Sequence, residues 1–220
     1  GALVKLPEAL NRSVDVFPGS EPLEKPEPLA RESRPPSRLD DPVLDAWLTN
    51  LAAQVNADSL FGFVSTLASW NRYTRWTSND AAATWIRSKF QSYGLDSAYF
   101  HPFTASGSGW SRTANNVIGV QVGSVYPDSI VLIGGHMDAT SENPTSAAPG
   151  AEDNASGTAG VIEAARLLSQ HEFTHTLMFV AFNGEEQGLQ GSAVLASQMA
   201  SAGRDIVAVI NMDMIGYLDP

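Results

Sequence analysis

Cysteine is absent from the 220 residues. That excludes a disulfide framework and any thiolate-held metal, so a bound ion must take its donors from His, Asp and Glu. Basic residues are scarce: 13 Lys and Arg stand against 24 Asp and Glu, a formal net charge of −11. Such a balance argues against nucleic acid or an anionic membrane as partner. Residues 46–220 hold 15 of the acidic and 7 of the basic residues, so most of the excess lies in the globular part, where divalent cations would offset some of it. No apolar stretch is long enough to span a bilayer, and there is neither an internal repeat nor a Gly-rich phosphate loop. The first residue is Gly1, not methionine, and a removed signal peptide leaves no trace in such a chain.

What is present has the length for one domain with a sizeable core and an appendage. Seven of the 13 prolines fall in residues 1–40, among them Glu21-Pro-Leu-Glu-Lys-Pro-Glu-Pro28 and Arg34-Pro-Pro36. That segment lacks apolar periodicity and reads as an extended arm, a linker or a propeptide remnant. The globular part, residues 41–220, opens at Asp41-Pro42 as an N-cap with proline at the first helical position. Leu44, Trp47, Leu48, Leu51 and Val55 then recur at helical spacing. Asp58 starts a second helix with Leu60, Phe61, Val64 and Leu67. Asn79 or Asp80 caps a third, with Trp85, Ile86, Phe90 and Tyr93 on one face and Gly94 as its stop. Strands follow at 116–122 and 129–133, joined by the turn Tyr126-Pro-Asp128. His101, beside Pro102, reads as a surface-loop residue. A helix at 157–170, a strand at 176–182, a helix at 192–200 and a strand at 205–211 complete the chain. The alternation predicts an α/β, three-layer αβα fold with a largely parallel mixed sheet covered on both faces.

The apolar run Thr176–Phe182 delivers the segment Asn183-Gly-Glu185-Glu186-Gln-Gly-Leu-Gln-Gly-Ser192 at a strand end, where open α/β sheets bind ligands. Neighbouring side chains leaving a strand diverge, so one glutamate can hold a metal while the other stays free as a base. Ile133-Gly-Gly-His136-Met-Asp138 also ends a strand, and in extended chain positions i and i+2 point the same way. Asp138 can therefore accept the second imidazole N–H of His136 and leave the other nitrogen for a metal. Asp153 lies in the acidic loop Pro149–Gly157 leading into a helix, where it could also serve simply as a cap. Asp213 ends a strand among apolar residues, where an unpaired charge is costly. His136, Asp153, Glu186 and Asp213 thus form a nitrogen–oxygen ligand set suited to zinc, with cobalt or manganese as substitutes.

In order and spacing, His136-Met-Asp138, Asp153-Asn-Ala-Ser-Gly157, Asn183–Ser192 and Asn211-Met-Asp213 resemble the dizinc aminopeptidases of metallopeptidase family 28. The likeness covers about residues 60–216 and extends to Arg72-Tyr73 and the Trp85-Ile86 helix. It implies a zinc-exopeptidase fold, two zinc ions and a secreted or periplasmic location. It also implies peptide substrates with a free N-terminus, usually releasing an apolar residue such as leucine. By the same resemblance Asp153 bridges the ions, His136 and Asp213 hold one, and Glu186 holds the other. Asp138 then orients His136, and Glu185 is the general base toward a metal-bridging water. The peptide bond after Asp153 is expected to be cis.

His171-Glu-Phe-Thr-His175 matches the HExxH pattern of another metalloprotease class, which needs both histidines on one helical face. It falls between a helix and a strand, with threonine at 174 and 176, and reads as a polar connection. The family completes its second metal with a histidine downstream of Asp213, and this chain has none after His175. The expectation is the N-terminal part of a catalytic domain, truncated at the C-terminus, with a missing segment of the same protein as partner. The alternatives are a non-catalytic binding domain on the same fold and a one-zinc, glutaminyl-cyclase-like transferase.

Overall fold

The computed structural model describes residues 42–217. The chain divides into Gly1–Asp45 and Ala46–Pro220. The proline-rich residues 1–40 lie outside the described residues, as does the Asp41 cap.

Among the described residues three helices come first: α1 (Pro42–Ala52), α2 (Ala57–Ala68) and α3 (Thr77–Ser92). Strands β1 (Ser97–Gly107), β2 (Trp110–Gln121) and β3 (Tyr126–His136) follow. A π-type turn at Ala151–Ser156 leads into α4 (Gly157–Leu168), then β4 (His175–Phe182), α5 (Gln190–Ser201) and β5 (Asp205–Asn211). No helix among the described residues is long and apolar enough to cross a membrane.

The sheet runs β1-β2-β4-β3-β5. The pairings β4–β3 and β3–β5 are parallel, whereas β1–β2 and β2–β4 are antiparallel. The sheet is therefore mixed, and parallel only across β4, β3 and β5. The β2–β3 turn expected at 126–128 does not form. Tyr126 already pairs with His175, and β4 lies between the two strands. Nor does the expected loop around His101, which sits in β1 opposite Asn116. Pro102 hid that strand from the sequence, yet β1 is an edge strand, where a missing N–H is tolerated.

The continuous apolar run of β4 is explained by cover on both faces. Leu177, Phe179 and Ala181 join Ile86 and Phe90 of α3 and Val161, Ile162 and Ala165 of α4. Met178 and Val180 point the other way, into a cluster with Ile118, Ile130, Leu132 and Leu195 of α5. Helix α1, by contrast, buries none of its residues. Its Trp47 lies edge-on to His171 and Phe173. The expected caps also shift: Asn56 caps α2 by accepting the Ser59 N–H at 2.8 Å, and Trp76 precedes α3 without a side-chain cap. At the other margin β5 has, among the described residues, a neighbour only on the β3 side, and Val207, Val209 and Ile210 are exposed.

The topology fixes where a site can lie. From β3 the chain crosses through α4 to β4 on one side; from β4 it crosses through α5 to β5 on the other. Crossovers of one hand run in opposite directions put their helices on opposite faces and open a crevice at the carboxyl ends of β3 and β4. His136 and Asn183 stand at that edge.

Candidate metal centre

His136 ends β3 almost fully buried. Its Nε2 lies 3.1 Å from Asp153 Oδ1 and 3.5 Å from Asp213 Oδ1. One donor atom from each of these three residues falls within 4.8 Å of the others, and the same holds for His136, Glu185 and Glu186. His136 is common to both groups, and the carboxylate of Asp153 acts electrostatically on Glu186. Glu186 also accepts the Thr140 N–H at 3.1 Å.

The second ring nitrogen of His136 meets the backbone carbonyl of Asp138 at 3.1 Å and its carboxylate at 3.6 Å. The carboxylate has wider duties than the spacing suggested. Its oxygens accept the backbone N–H groups of Glu185 and Glu186, each at 3.2 Å, and the Thr74 hydroxyl at 3.1 Å. Asp138 therefore ties the glutamate pair to the histidine.

Asp153 reaches the centre from the π-type turn, whose Asp153–Asn154 peptide bond is cis, as the resemblance implied. Asn154 fastens this turn to the segment after β5: it donates to Met212 O at 3.0 Å and accepts the Met214 N–H at 3.3 Å. Ser156 accepts the Ile215 N–H, and Glu152 accepts those of Gly216 and Tyr217. Asp213 thus sits in a loop held at five points by the Asp153 turn. Gly135 permits the close approach, since a Cβ there would lie 2.8 Å from Met212 O.

Asn183 is buried among amides. Its side chain donates to Asn79 Oδ1 and Asn115 O and accepts the Gly184 N–H, while its backbone N–H donates to Asn116 Oδ1. Asn79, expected as a helix cap, belongs to this network. Sequence reading missed Thr74, Asn79, Asn154, Ser156 and Glu152 as supports. Asn and Ser beside an acidic motif were the only signal, and a weak one.

Charge crowding shows in the titration of these groups. Burial alone would lower the His136 pKa, but its hydrogen bond to Asp138 and the carboxylates of Asp138, Glu185 and Asp213 outweigh it and raise it to about 9. Burial, then Asp153 and Asp138, push Glu186 up to about 7. Glu185 is raised too, chiefly by burial. One imidazole nitrogen facing several carboxylate oxygens, with no thiolate, is a donor set that fits zinc, and a divalent cation would relieve this repulsion.

The HExxH histidines are elsewhere. His175 opens β4 against the Tyr126 ring and His171 lies under Trp47. Both are at the amino end of β4, whereas the cluster stands at its carboxyl end. His101 in β1 bonds Gln198 of α5 and Asn116 of β2.

Residues 116–220 match the sequence model of Peptidase family M28. A probable zinc metalloprotease of Pyrenophora teres f. teres is 34% identical over 199 residues, covering 81% of this chain and 43% of that protein. A probable leucine aminopeptidase of Arthroderma otae is 41% identical over 97 residues, 41% of this chain and 27% of that protein. The solved structure of the Legionella pneumophila LapA aminopeptidase aligns with a TM-score of 0.65 at 25% identity, over 79% of this chain and 47% of that one. The chain spans less than half the length of these relatives.

Proposed function

We propose that this chain, which carries a peptidase family M28 segment, forms the metal-holding part of a zinc aminopeptidase that hydrolyses the N-terminal peptide bond of peptides. The observation that carries the reading is the meeting of His136, Asp153 and Asp213 donor atoms within 4.8 Å, with Glu185 and Glu186 grouped on the same histidine. His136, Asp153 and Asp213 would hold one ion, and Glu186, with a share of Asp153, a second. Held there, zinc would supply Lewis acidity toward the scissile carbonyl and the attacking water.

The remaining chemistry belongs to this chain's own groups. Glu185 takes the proton from the attacking water and delivers it to the leaving amine, a role typically worth 10²–10⁴-fold in rate. Its raised pKa, set first by burial, makes it a better proton acceptor than an ordinary carboxylate. Asp138 holds Glu185 at its backbone N–H, so the base is positioned through the peptide and its carboxylate stays free. The acidic rim favours the ammonium of a free N-terminus. Leucine or a similar apolar residue is proposed as the one released, on the resemblance alone.

In the full-length protein, Glu185→Gln should keep zinc and lose at least about 10²-fold in release of a chromogenic amine from a leucyl substrate. Glu186→Gln should lose zinc. The opposite order in zinc content would exchange the two roles, and turnover of N-terminal glutamine by cyclisation would reject peptide hydrolysis. For the second ion we propose a further ligand outside residues 1–220, since catalytic zinc normally has three protein ligands. Zinc should then rise from about one per molecule in residues 1–220 to about two in the full-length protein; two tightly held ions in the shorter chain would refute this.

A further inference from the structure

The loop between α2 and α3 carries a fully buried arginine, Arg72, to which the chemistry above assigns nothing. Its Nε donates to Met137 O at 2.7 Å, between His136 and Asp138. Its two terminal nitrogens donate to Pro149 O and to Gly150 O, the latter at 2.8 Å, at the start of the turn that delivers Asp153. The backbone repeats the pattern. Arg72 N–H donates to Ala148 O, and Arg72 O accepts the Ala139 N–H and the Asn79 side-chain amide. One residue therefore bonds the chain on both sides: the strand end bearing His136 and Asp138, and the loop leading to Asp153.

A structural cross-link of carbonyl groups does not require a cation. Burying a guanidinium is costly, and here every hydrogen bond it makes goes to a neutral carbonyl, with no ion pair among the described residues that includes it. Burial pulls its pKa down to about 10, and the charges of Asp138 and Asp153 oppose that fall. The guanidinium therefore stays charged at neutral pH, and the hydrogen bonds to both segments are made by a cation. Gly150, which accepts from the fork, sits at φ +47, and a Cβ there would run into Asp153 O and meet Ala139 Cβ at 2.5 Å and Arg72 Nη2 at 3.1 Å, so the tight turn itself requires the glycine. Lysine, a point charge on a flexible stem, cannot span three carbonyls from two segments.

We propose that Arg72 is the positioning residue that sets the spacing of His136 and Asp153, and through it the metal affinity of the centre. This rests on the zinc reading of the site, and wild-type protein tests that reading separately: if the wild type binds no zinc, the reading itself fails. The variants are Arg72→Lys and Arg72→Ala in the full-length protein, followed by zinc competition against a chromophoric chelator, the visible spectrum after Co²⁺ loading, and melting in EDTA. Arg72→Lys should fold, bind zinc about tenfold or more weaker, and give an altered Co²⁺ spectrum. Ethylguanidinium added to Arg72→Ala should recover both affinity and spectrum. A purely structural arginine predicts lower melting in EDTA with wild-type affinity and spectrum, and that result overturns the proposal. If Arg72→Lys does not fold, the decision passes to Arg72→Ala with ethylguanidinium, where failure to recover zinc affinity overturns it equally.

Discussion

Replacing Asp138 by Asn removes one charge and almost no volume from a fully buried position. The carboxylate accepts from Glu185 N–H, Glu186 N–H and the Thr74 hydroxyl. An amide keeps one acceptor oxygen and turns an NH₂ toward whichever donor it cannot serve. Bonds to a charged group are worth roughly 1.5–3 kcal/mol, and an orphaned donor costs roughly 1–3 kcal/mol. Relief from burying a charge offsets part of that loss, leaving destabilisation on the order of 1–3 kcal/mol. The effect on zinc has two opposed parts. A ligating histidine that loses its carboxylate partner typically costs about 10–100-fold in affinity. Yet Asp138 is also what lifts His136 to about 9, so in wild-type protein zinc must displace a proton at neutral pH. Without Asp138 the ring pKa falls toward its ordinary value and that competition weakens. At pH 7 the two effects partly cancel; above about pH 9 only the loss remains. Zinc competition at both pH values should therefore show a larger deficit for Asp138→Asn at the higher pH. An equal deficit at both, or none at pH 9.5, would refute the assigned role of Asp138.

The same titrations predict that metal-depleted protein loses stability as pH rises. His136, raised to about 9, contributes stability below its unfolded pKa that is lost through about 9, and Glu186, raised to about 7, destabilises the fold once it ionises. Melting in EDTA should fall from pH 5 to pH 9.5 and flatten with zinc; a rise would contradict the crowded-carboxylate account. Changing His171 and His175 together to Gln should leave zinc content and leucyl-substrate hydrolysis of the full-length protein nearly intact, and collapse of both would restore the HExxH reading.

The legible parts of this molecule were those in which chemistry and strand ends coincide. The run 176–182 announced β4. The acidic and histidine motifs announced their own position by following apolar strand runs, His136 at the end of β3, Glu185 and Glu186 after β4 and Asp213 after β5. The strand β1 was illegible because Pro102 and the polar alternation around it suit an edge strand and a loop equally well. The mixed sheet was legible in its parallel part, across β4, β3 and β5. Strand–helix alternation begins only at β3, and the antiparallel β1–β2 hairpin leaves no helix to mark it. Helix α1 carried an amphipathic stripe, yet periodicity cannot say what lies opposite, and none of its residues is buried. The supports of the site were hidden for a different reason. Asn79 bonds Asn183 across 104 residues and Arg72 bonds Met137 across 65. They act through amides and backbone carbonyls, partners that leave no mark in a side-chain pattern.

The neutrality of those supports follows from the charge they surround. Asp138, Asp153, Glu185, Glu186 and Asp213 already repel one another, as the raised glutamates show. A further carboxylate used as a brace would raise that repulsion, and a further ammonium would compete with the metal for its ligands. An asparagine side chain offers donors and an acceptor at once with no net charge. Asn79, Asn116, Asn154 and Asn183 occupy the joints between α3, β2, the Asp153 turn and the loop after β4. Arg72 is the exception because its charge faces carbonyls and stands behind the carboxylates, outside the ligand set. Rigidity from amides and one recessed cation leaves the open side of the crevice to the acidic groups, the arrangement a divalent ion requires.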